Sequence, residues 1–277
     1  MACEPKHPTR GVPRMAGLSE PWPARCRPIA AGSWRHYGGT IAGAAVLLLL
    51  AGVATGVDCR LSSWMLAERG WAALLRDALR PCEFFGHGLA VVLIVWGVHQ
   101  LDPARRWALP RVLSGAWLSG IAANVVKMCI VRIRPHHFQF DGTVWETFGQ
   151  WLPLASAGSR GQSFPSGHAA TAFGLAVVLA WLYPRARWFF GAMAVLVACQ
   201  RVAGGAHYLS DVLVGAAIGL VVGHLSTSPW RPWTWQDQWE TVWRAVAGGL
   251  GRPERSAIQN RATGGSSPGS RPTDGGC

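Results

Sequence analysis

Residues 112–137 read VLSGAWLSGIAANVVKMCIVRIRPHH. The first twenty of them are apolar enough to enter a bilayer, which a helix of roughly 20 residues crosses. The run then ends in Lys127, Arg132, Arg134, His136 and His137, with Pro135 as a stop. Two readings of that ending stand side by side. The cations are interfacial anchors whose stems snorkel, or they hold something negative.

Working outward, half of the 277 residues are hydrophobic and only 14% are charged, against roughly 25% in a soluble domain. Sixteen tryptophans fit a chain with membrane–water interfaces to populate. The class is integral membrane protein. The net charge of +12 does not argue for nucleic acid, because the basic residues sit in the termini and in loops between apolar runs, and no zinc-finger spacing or basic heptad array is present. Of the seven cysteines none forms CxxC, so no metal or redox motif is read from them. Cys59 and Cys82 would share one loop, where an extracytoplasmic setting would permit a disulfide.

Apolar runs recur at 39–57, 84–98, 112–131, 169–183, 188–200 and 209–225. The short ones lengthen by drawing in flanking residues such as Glu83 or Gly167. The expected fold is all-α: a six-helix transmembrane bundle with disordered termini. Its parts are a disordered cytoplasmic arm over 1–38, a six-span domain over 39–226 whose first span is peripheral, an interfacial Trp-rich helix over 227–247 and a disordered tail over 248–277. Trp235, Trp239 and Trp243, four apart, would share one face of that interfacial helix. Small residues (Gly115, Gly120, Ala122 and Ala123; Gly215, Ala216, Ala217 and Gly219) favour close helix packing. Seventeen Lys and Arg fall in 1–38, 99–111, 184–187 and beyond 225. That bias predicts a multi-pass protein of the plasma (inner) membrane with both termini cytoplasmic. It also turns the charged end of 112–137 outward, against the topological rule, which weakens the anchor reading.

Three polar clusters carry the chemistry. Lys127 and Arg134 are seven apart, two helical turns, and would project from one face as a phosphate clamp. In SFPSGHAATAFG (163–174), Pro165 ends one segment and Ser166–Gly167 starts a helix whose free N–H groups attract anions. His168 sits in its first turn, while Ser166 as a plain N-cap is the alternative. In CQRVAGGAHYLSDVLVG (199–215), Arg201 closes a span, and His207 and Asp211 are four apart on one helical face. An Asp that accepts one imidazole N–H leaves the other nitrogen as a nucleophile. The alternative there is a surface ion pair. Helices that descend and return bring all three clusters to one membrane face.

Together, Lys127–x6–Arg134–Pro135, Pro165–Ser166–Gly167–His168 and Arg201–x5–His207–x3–Asp211 resemble the three signatures of the type-2 phosphatidic acid phosphatase superfamily, over roughly 84–225. The resemblance implies a metal-independent lipid phosphatase with no cofactor. His207 would attack phosphorus and form a phosphohistidine, Asp211 would orient it, and His168 would protonate the leaving oxygen. Lys127, Arg134, Arg201, Ser166 and the Gly167 N–H would hold the phosphate oxygens. The family usually has Ser before the third-motif Arg. Here Gln200 stands in its place, and its amide is the alternative donor.

The expected partners are the bilayer and a membrane lipid substrate: a polyprenyl pyrophosphate, a phosphatidic acid or phosphatidylglycerol phosphate, or a glycolipid phosphate. No protein partner or nucleic acid is called for. The site is expected on the extracytoplasmic side, with His136, His137 and the loop carrying Trp145, Phe148 and Trp151 shaping access. The alternatives are a non-catalytic phospholipid-binding or transport protein using the same pocket, and a vanadate-dependent peroxidase, whose soluble character the six apolar runs oppose.

Overall fold

The computed structural model describes residues 34–66, 70–152, 158–228, 236 and 238–242. Most of the expected arm and all of the tail beyond 248 lie outside them, as do Trp235 and Trp243. Helix α1 (Trp34–Ala54) is followed by two short helices, α2 (Asp58–Met65) and α3 (Trp71–Leu79), and a 3-10 turn over Arg80–Gly86. Then come α4 (Gly88–Leu101), α5 (Leu109–Cys129), α6 (Gly167–Leu182), α7 (Arg187–Ala203) and α8 (Leu209–Thr227). Between α5 and α6 two short strands, β1 (Ile130–Arg132) and β2 (Phe148–Trp151), pair antiparallel.

The chain is an all-α membrane bundle, and its six apolar helices follow the six apolar runs. Among the described residues, four helical segments are long and apolar enough to cross a membrane alone. Trp71–Gly86 and Gly88–Leu101 are apolar enough to cross only when taken together, and they meet at a bend of 62°. The expected span over 84–98 therefore starts later, at Gly88, because Pro81 and the 3-10 turn hold residues 80–86 out of the α-helix. Helix α1 begins at Trp34, so residues 34–38, expected in the arm, belong to the first helix.

Helix α6 has 16 residues, about 24 Å at 1.5 Å per residue, short for a span. It is the bundle's central helix, packed against α5, α7 and α8. Ala172, Leu175 and Val178 are fully buried with Val112 and Ala116 of α5 and Val197 of α7. A helix surrounded by protein need not reach both headgroup layers itself. The small residues do the packing expected of them. A Cβ on Gly215 would lie 2.4 Å from the Ser166 carbonyl, and one on Gly120 would lie 2.6 Å from the Thr171 hydroxyl. Helix α1 packs on α8 and turns Leu49 and Val53 outward.

The link from α5 to α6 departs most from expectation. Residues 130 and 131, expected in the third helix, are extended, with Ile130 at φ −136° and ψ 116°. Pro135 disfavours helix at the residue before it, and Arg134 is extended at φ −69° and ψ 149°. The strand stitches the loop together: Ile133 N–H donates to Thr147 O (2.8 Å), Ser163 N–H to Arg132 O (3.0 Å) and Arg134 N–H to Arg160 O (3.0 Å). Trp145 and Trp151 are largely exposed on this loop. Cys59 and Cys82 are both free thiols.

Of the Trp-rich segment, Gln236 and residues 238–242 are described. Two polar residues there dock on protein: Gln236 Nε2 donates to Ser114 Oγ at 2.5 Å, and Glu240 pairs with Arg111. Trp239 is nearly half exposed. The polar side of that short helix is thus fastened to α5.

Candidate active site

His207 sits on the turn between α7 and α8. Gly205 makes the turn with φ +64°, a conformation glycine adopts without strain. A Cβ there would also lie 2.5 Å from Leu66. His136 N–H and the His136 ring both reach the Gly205 carbonyl, the ring Nδ1 at 2.7 Å. His136, expected to shape access, instead pins this turn. His207 is 2% exposed, and its ring Nδ1 lies 2.6 Å from the carbonyl oxygen of Ser163. A carbonyl only accepts, so Nδ1 carries the proton and Nε2 keeps its lone pair. Burial pushes the His207 pKa well below that of a free imidazole, and the charges of Lys127, Arg134 and Arg201 push the same way, against the Ser163 hydrogen bond. The ring is held neutral, with the Nε2 lone pair free.

Asp211 was expected to accept the imidazole N–H directly. It does not: Asp211 Oδ2 is 3.9 Å from His207 Nδ1. The same oxygen accepts from Ser163 Oγ at 2.5 Å and from Tyr208 N–H at 3.0 Å. Asp211 therefore fixes the Ser163 residue whose carbonyl fixes His207. Its bond to Tyr208 N–H also caps the first turn of α8, the reach-back half of a capping box. The surface ion-pair reading fails, since Asp211 is fully buried.

Arg132 makes that burial possible. It is fully buried, donates to Asp211 Oδ1, to Ser210 Oγ (2.7 Å), to Asp58 Oδ2 (2.8 Å) and to Thr147 Oγ1 (3.1 Å), and its guanidinium lies 4.1 Å from the Tyr208 ring centroid. Asp58 in turn accepts from Ser210 N–H (3.1 Å) and Oγ (2.5 Å). A buried charge needs such partners to be tolerable. The two carboxylates raise the Arg132 pKa against the opposing effect of burial.

Four of the five phosphate-binding candidates, Lys127, Arg134, Gly167 and Arg201, line one cavity of about 300 Å³ together with His168 and His207. Lys127 comes from the last turn of α5, and Arg134 from the loop beyond β1. The two do not share a helix face, because α5 stops at Cys129; the strand delivers Arg134 to the same space. Both Arg134 Nε and Arg201 Nε are buried without a hydrogen-bond partner among the described residues. They are donors suited to an anion between them. The first turn of α6 adds the N–H-rich helix end at Gly167.

Two candidates do other work. Ser166 does not line the cavity: its Oγ accepts from Ala169 N–H at 3.4 Å and caps α6, the N-cap alternative. Gln200 is also absent from the lining and is 4% exposed. Its amide donates to Glu83 Oε2 at 3.1 Å rather than toward the cavity. Glu83 also pairs with Arg201 at 2.8 Å and lies 3.8 Å from His168 Nε2.

His87, Asn124 and Thr171 line the cavity as well. None was singled out from the sequence. Asn124 is three residues before Lys127, and Thr171 three after His168, so helical spacing on the two motif helices was the signal for both. Glu83, Arg132 and Asp58 are fixed by tertiary contacts and carried no such signal. Among the described residues no group of three His, Cys, Asp or Glu is arranged to hold a metal ion.

The chain matches the PAP2 superfamily over residues 109–239, which includes all three clusters. It is 42% identical over 101 residues to a lipid A 1-phosphatase of Rhizobium johnstonii, covering 36% of this chain and 39% of that relative's length. It is 31% identical over 163 residues to the decaprenylphosphoryl-5-phosphoribose phosphatase of Mycolicibacterium smegmatis, covering 58% of this chain and 81% of that protein. Among solved structures, Aquifex aeolicus LpxE is similar with a TM-score of 0.48 at 22% identity, over 61% of this chain and 94% of that one. With the signatures in order and that 81% coverage, the chain belongs to the PAP2, or type-2 phosphatidic acid phosphatase, superfamily.

Proposed function

We propose that this protein is a membrane phosphatase that removes a phosphate from a lipid through a phosphohistidine, with no metal ion in the step. The observation that supports it is the single cavity shared by Lys127, Arg134, Arg201, His168 and His207, with the His207 ring fixed through Nδ1. Phosphoryl transfer asks mainly for positioning and for charge around the equatorial oxygens. Three cations and the Gly167 helix end supply that charge.

In the first step His207 Nε2 attacks phosphorus. The P–N bond forms, the bond to the leaving oxygen breaks, and His168 gives that oxygen its proton. In the second step His168 takes a proton from water, the hydroxide oxygen bonds to phosphorus, and the P–N bond breaks to free phosphate. Asp211 and Ser163 keep the proton on His207 Nδ1 throughout.

The substrate is a lipid whose phosphate sits at headgroup depth. Lipid A and a polyprenyl-linked phosphoribose, named by the relatives, head the substrate panel. Phosphatidic acid, phosphatidylglycerol phosphate and a polyprenyl pyrophosphate complete it. Purified protein should release phosphate from at least one of them in EDTA, and His207→Ala should abolish release. Full turnover by His207→Ala would refute the nucleophile; loss of turnover in EDTA would refute metal independence.

The site opens on the extracytoplasmic side, with cytoplasmic termini. The charge bias of the loops supports this. Ser159→Cys, in a background without other cysteines, should react in whole cells or spheroplasts with a membrane-impermeant maleimide. Reaction only after lysis would reverse the orientation.

A further inference from the structure

Glu83 is a carboxylate that the three-motif mechanism does not use, yet it touches two of the groups that mechanism needs. It stands on the 3-10 turn Arg80–Gly86. That turn is seated on the first turn of α6: a Cβ on Gly86 would lie 2.8 Å from the His168 carbonyl oxygen. One carboxylate oxygen of Glu83 is 2.8 Å from Arg201 Nη1 and 3.8 Å from His168 Nε2, and the other accepts from Gln200 Nε2 at 3.1 Å. Gln200 is buried at 4% exposure, so the amide is a fixed anchor for a side chain that is 37% exposed. The charged and titratable groups facing His168 are Glu83 from this turn, His87 from the start of α4, Lys127 from α5 and Arg201 from α7, with Arg134 and His207 across the cavity. All are cationic or neutral except Glu83.

We propose that Glu83, anchored by Gln200, is the positioning residue of the acid–base step: it holds the His168 imidazolium for proton delivery to the leaving oxygen and tethers Arg201 until the phosphate arrives. This rests on the phosphatase reading above. The physical case is a balance of charge. A protonated His168 shares its cavity with three cations, which oppose its charge. A carboxylate within about 4–6 Å favours the charged imidazole, and Glu83 does so here against burial and the Arg201 charge, which act the other way. The Arg201 pair has a second consequence. Phosphate must compete with Glu83 for that guanidinium, so the carboxylate weakens ground-state binding while it supports the chemical step.

The test is Glu83→Gln in the full-length protein, with kcat and KM measured across pH on a lipid phosphate and on p-nitrophenyl phosphate. A nitrophenolate leaves without a proton, whereas a lipid alkoxide does not. On the lipid, kcat should fall at least tenfold and the basic limb of its pH profile should move down by about one unit. On p-nitrophenyl phosphate kcat should change less than threefold. Orthovanadate should inhibit more tightly, because Arg201 is released. Gln200→Ala, which keeps the carboxylate but frees it, should move every readout in the same direction by less, and it covers the case in which Glu83→Gln does not fold. Equal losses on both substrates with an unmoved basic limb would make Glu83 merely structural and overturn the proposal. A wild-type protein silent on every phosphate would overturn the phosphatase reading along with it, whereas an active wild type, a dead His207→Ala and an unchanged Glu83→Gln would sink this inference alone.

Discussion

Arg132→Met should both destabilise the protein and slow it, while leaving every cavity-lining cation in place. The magnitude follows from the contacts. Arg132 is fully buried between two fully buried carboxylates, with Asp58 Oδ2 at 2.8 Å and Asp211 Oδ1 on the other amino group. At an effective dielectric constant of 20, the Asp58 pair alone carries about 6 kcal/mol of Coulomb attraction. Desolvation of the ions offsets much of that. Removing one partner, however, strands the other, and that costs about 3–5 kcal/mol. For a domain near 200 residues this is a fall in Tm of about 6–20 °C. The functional loss travels by a stated route. Asp211 loses its cation, so its grip on Ser163 Oγ and Tyr208 N–H changes, and the Ser163 carbonyl that fixes His207 Nδ1 moves with it.

The assay is thermal unfolding in detergent, paired with turnover at a temperature where both proteins are folded. Arg132→Met/Asp58→Asn should recover part of the lost Tm, because it removes one of the two stranded carboxylates. Turnover should stay low in both, because Asp211 remains unpaired. An Arg132→Met protein within 2 °C of the wild type, with full turnover, would refute the claim that this buried network holds the nucleophile.

Gly215→Ala should cost about 1–3 kcal/mol by overpacking, since its Cβ would lie 2.4 Å from the Ser166 carbonyl and 3.2 Å from Ala169 Cβ. Gly191→Ala, with nothing within 4 Å, should be neutral or stabilising, and unfolding in detergent compares the two. The depressed pKa of His207 has a defined sign. As pH falls below about 6.5 the unfolded chain's imidazole takes up a proton that the buried one refuses, so stability is lost at up to about 1.4 kcal/mol per pH unit and returns as pH rises. His207→Gln should flatten the slope of stability between pH 7 and 5 by up to one proton; equal slopes would show that the ring is not held neutral.

The six apolar helices and the convergence of the three clusters were legible because helix-forming runs and motif spacing are local properties. Lys127, His168 and Arg201 are delivered by the ends of apolar helices, and their place on one face follows from chain direction alone. The path of Arg134 was not legible in the same way. Seven residues after Lys127 suggests two turns of helix, but Ile130 and Val131 suit a strand as well as a helix, and what decides is the pairing of Ile130 with Trp151 and of Arg132 with Phe148 across a loop. The same long-range pairing explains why Arg132 was not separated from the other cations at the end of that run. Two residues from a motif arginine it looked like one more interfacial cation, and only the folded strand turns it inward to Asp58, some seventy residues earlier in the chain.

Gln200 shows how one local departure can redirect a site. A short hydroxyl before Arg201 would end near the backbone of α7. The longer Gln amide reaches Glu83 instead, on a turn that the sequence offers only as the ragged start of a span. With Glu83 so anchored, Arg201 has a standing partner and His168 has a carboxylate 3.8 Å from its Nε2. In place of a neutral donor to phosphate, Gln200 thus holds a negative charge beside His168, the residue proposed for the proton transfers. Such a site should favour leaving groups that need a proton over those that do not. The ratio of lipid-phosphate to nitrophenyl-phosphate turnover should accordingly fall in Gln200→Ser, and an unchanged ratio would mean that the exchange has no chemical consequence.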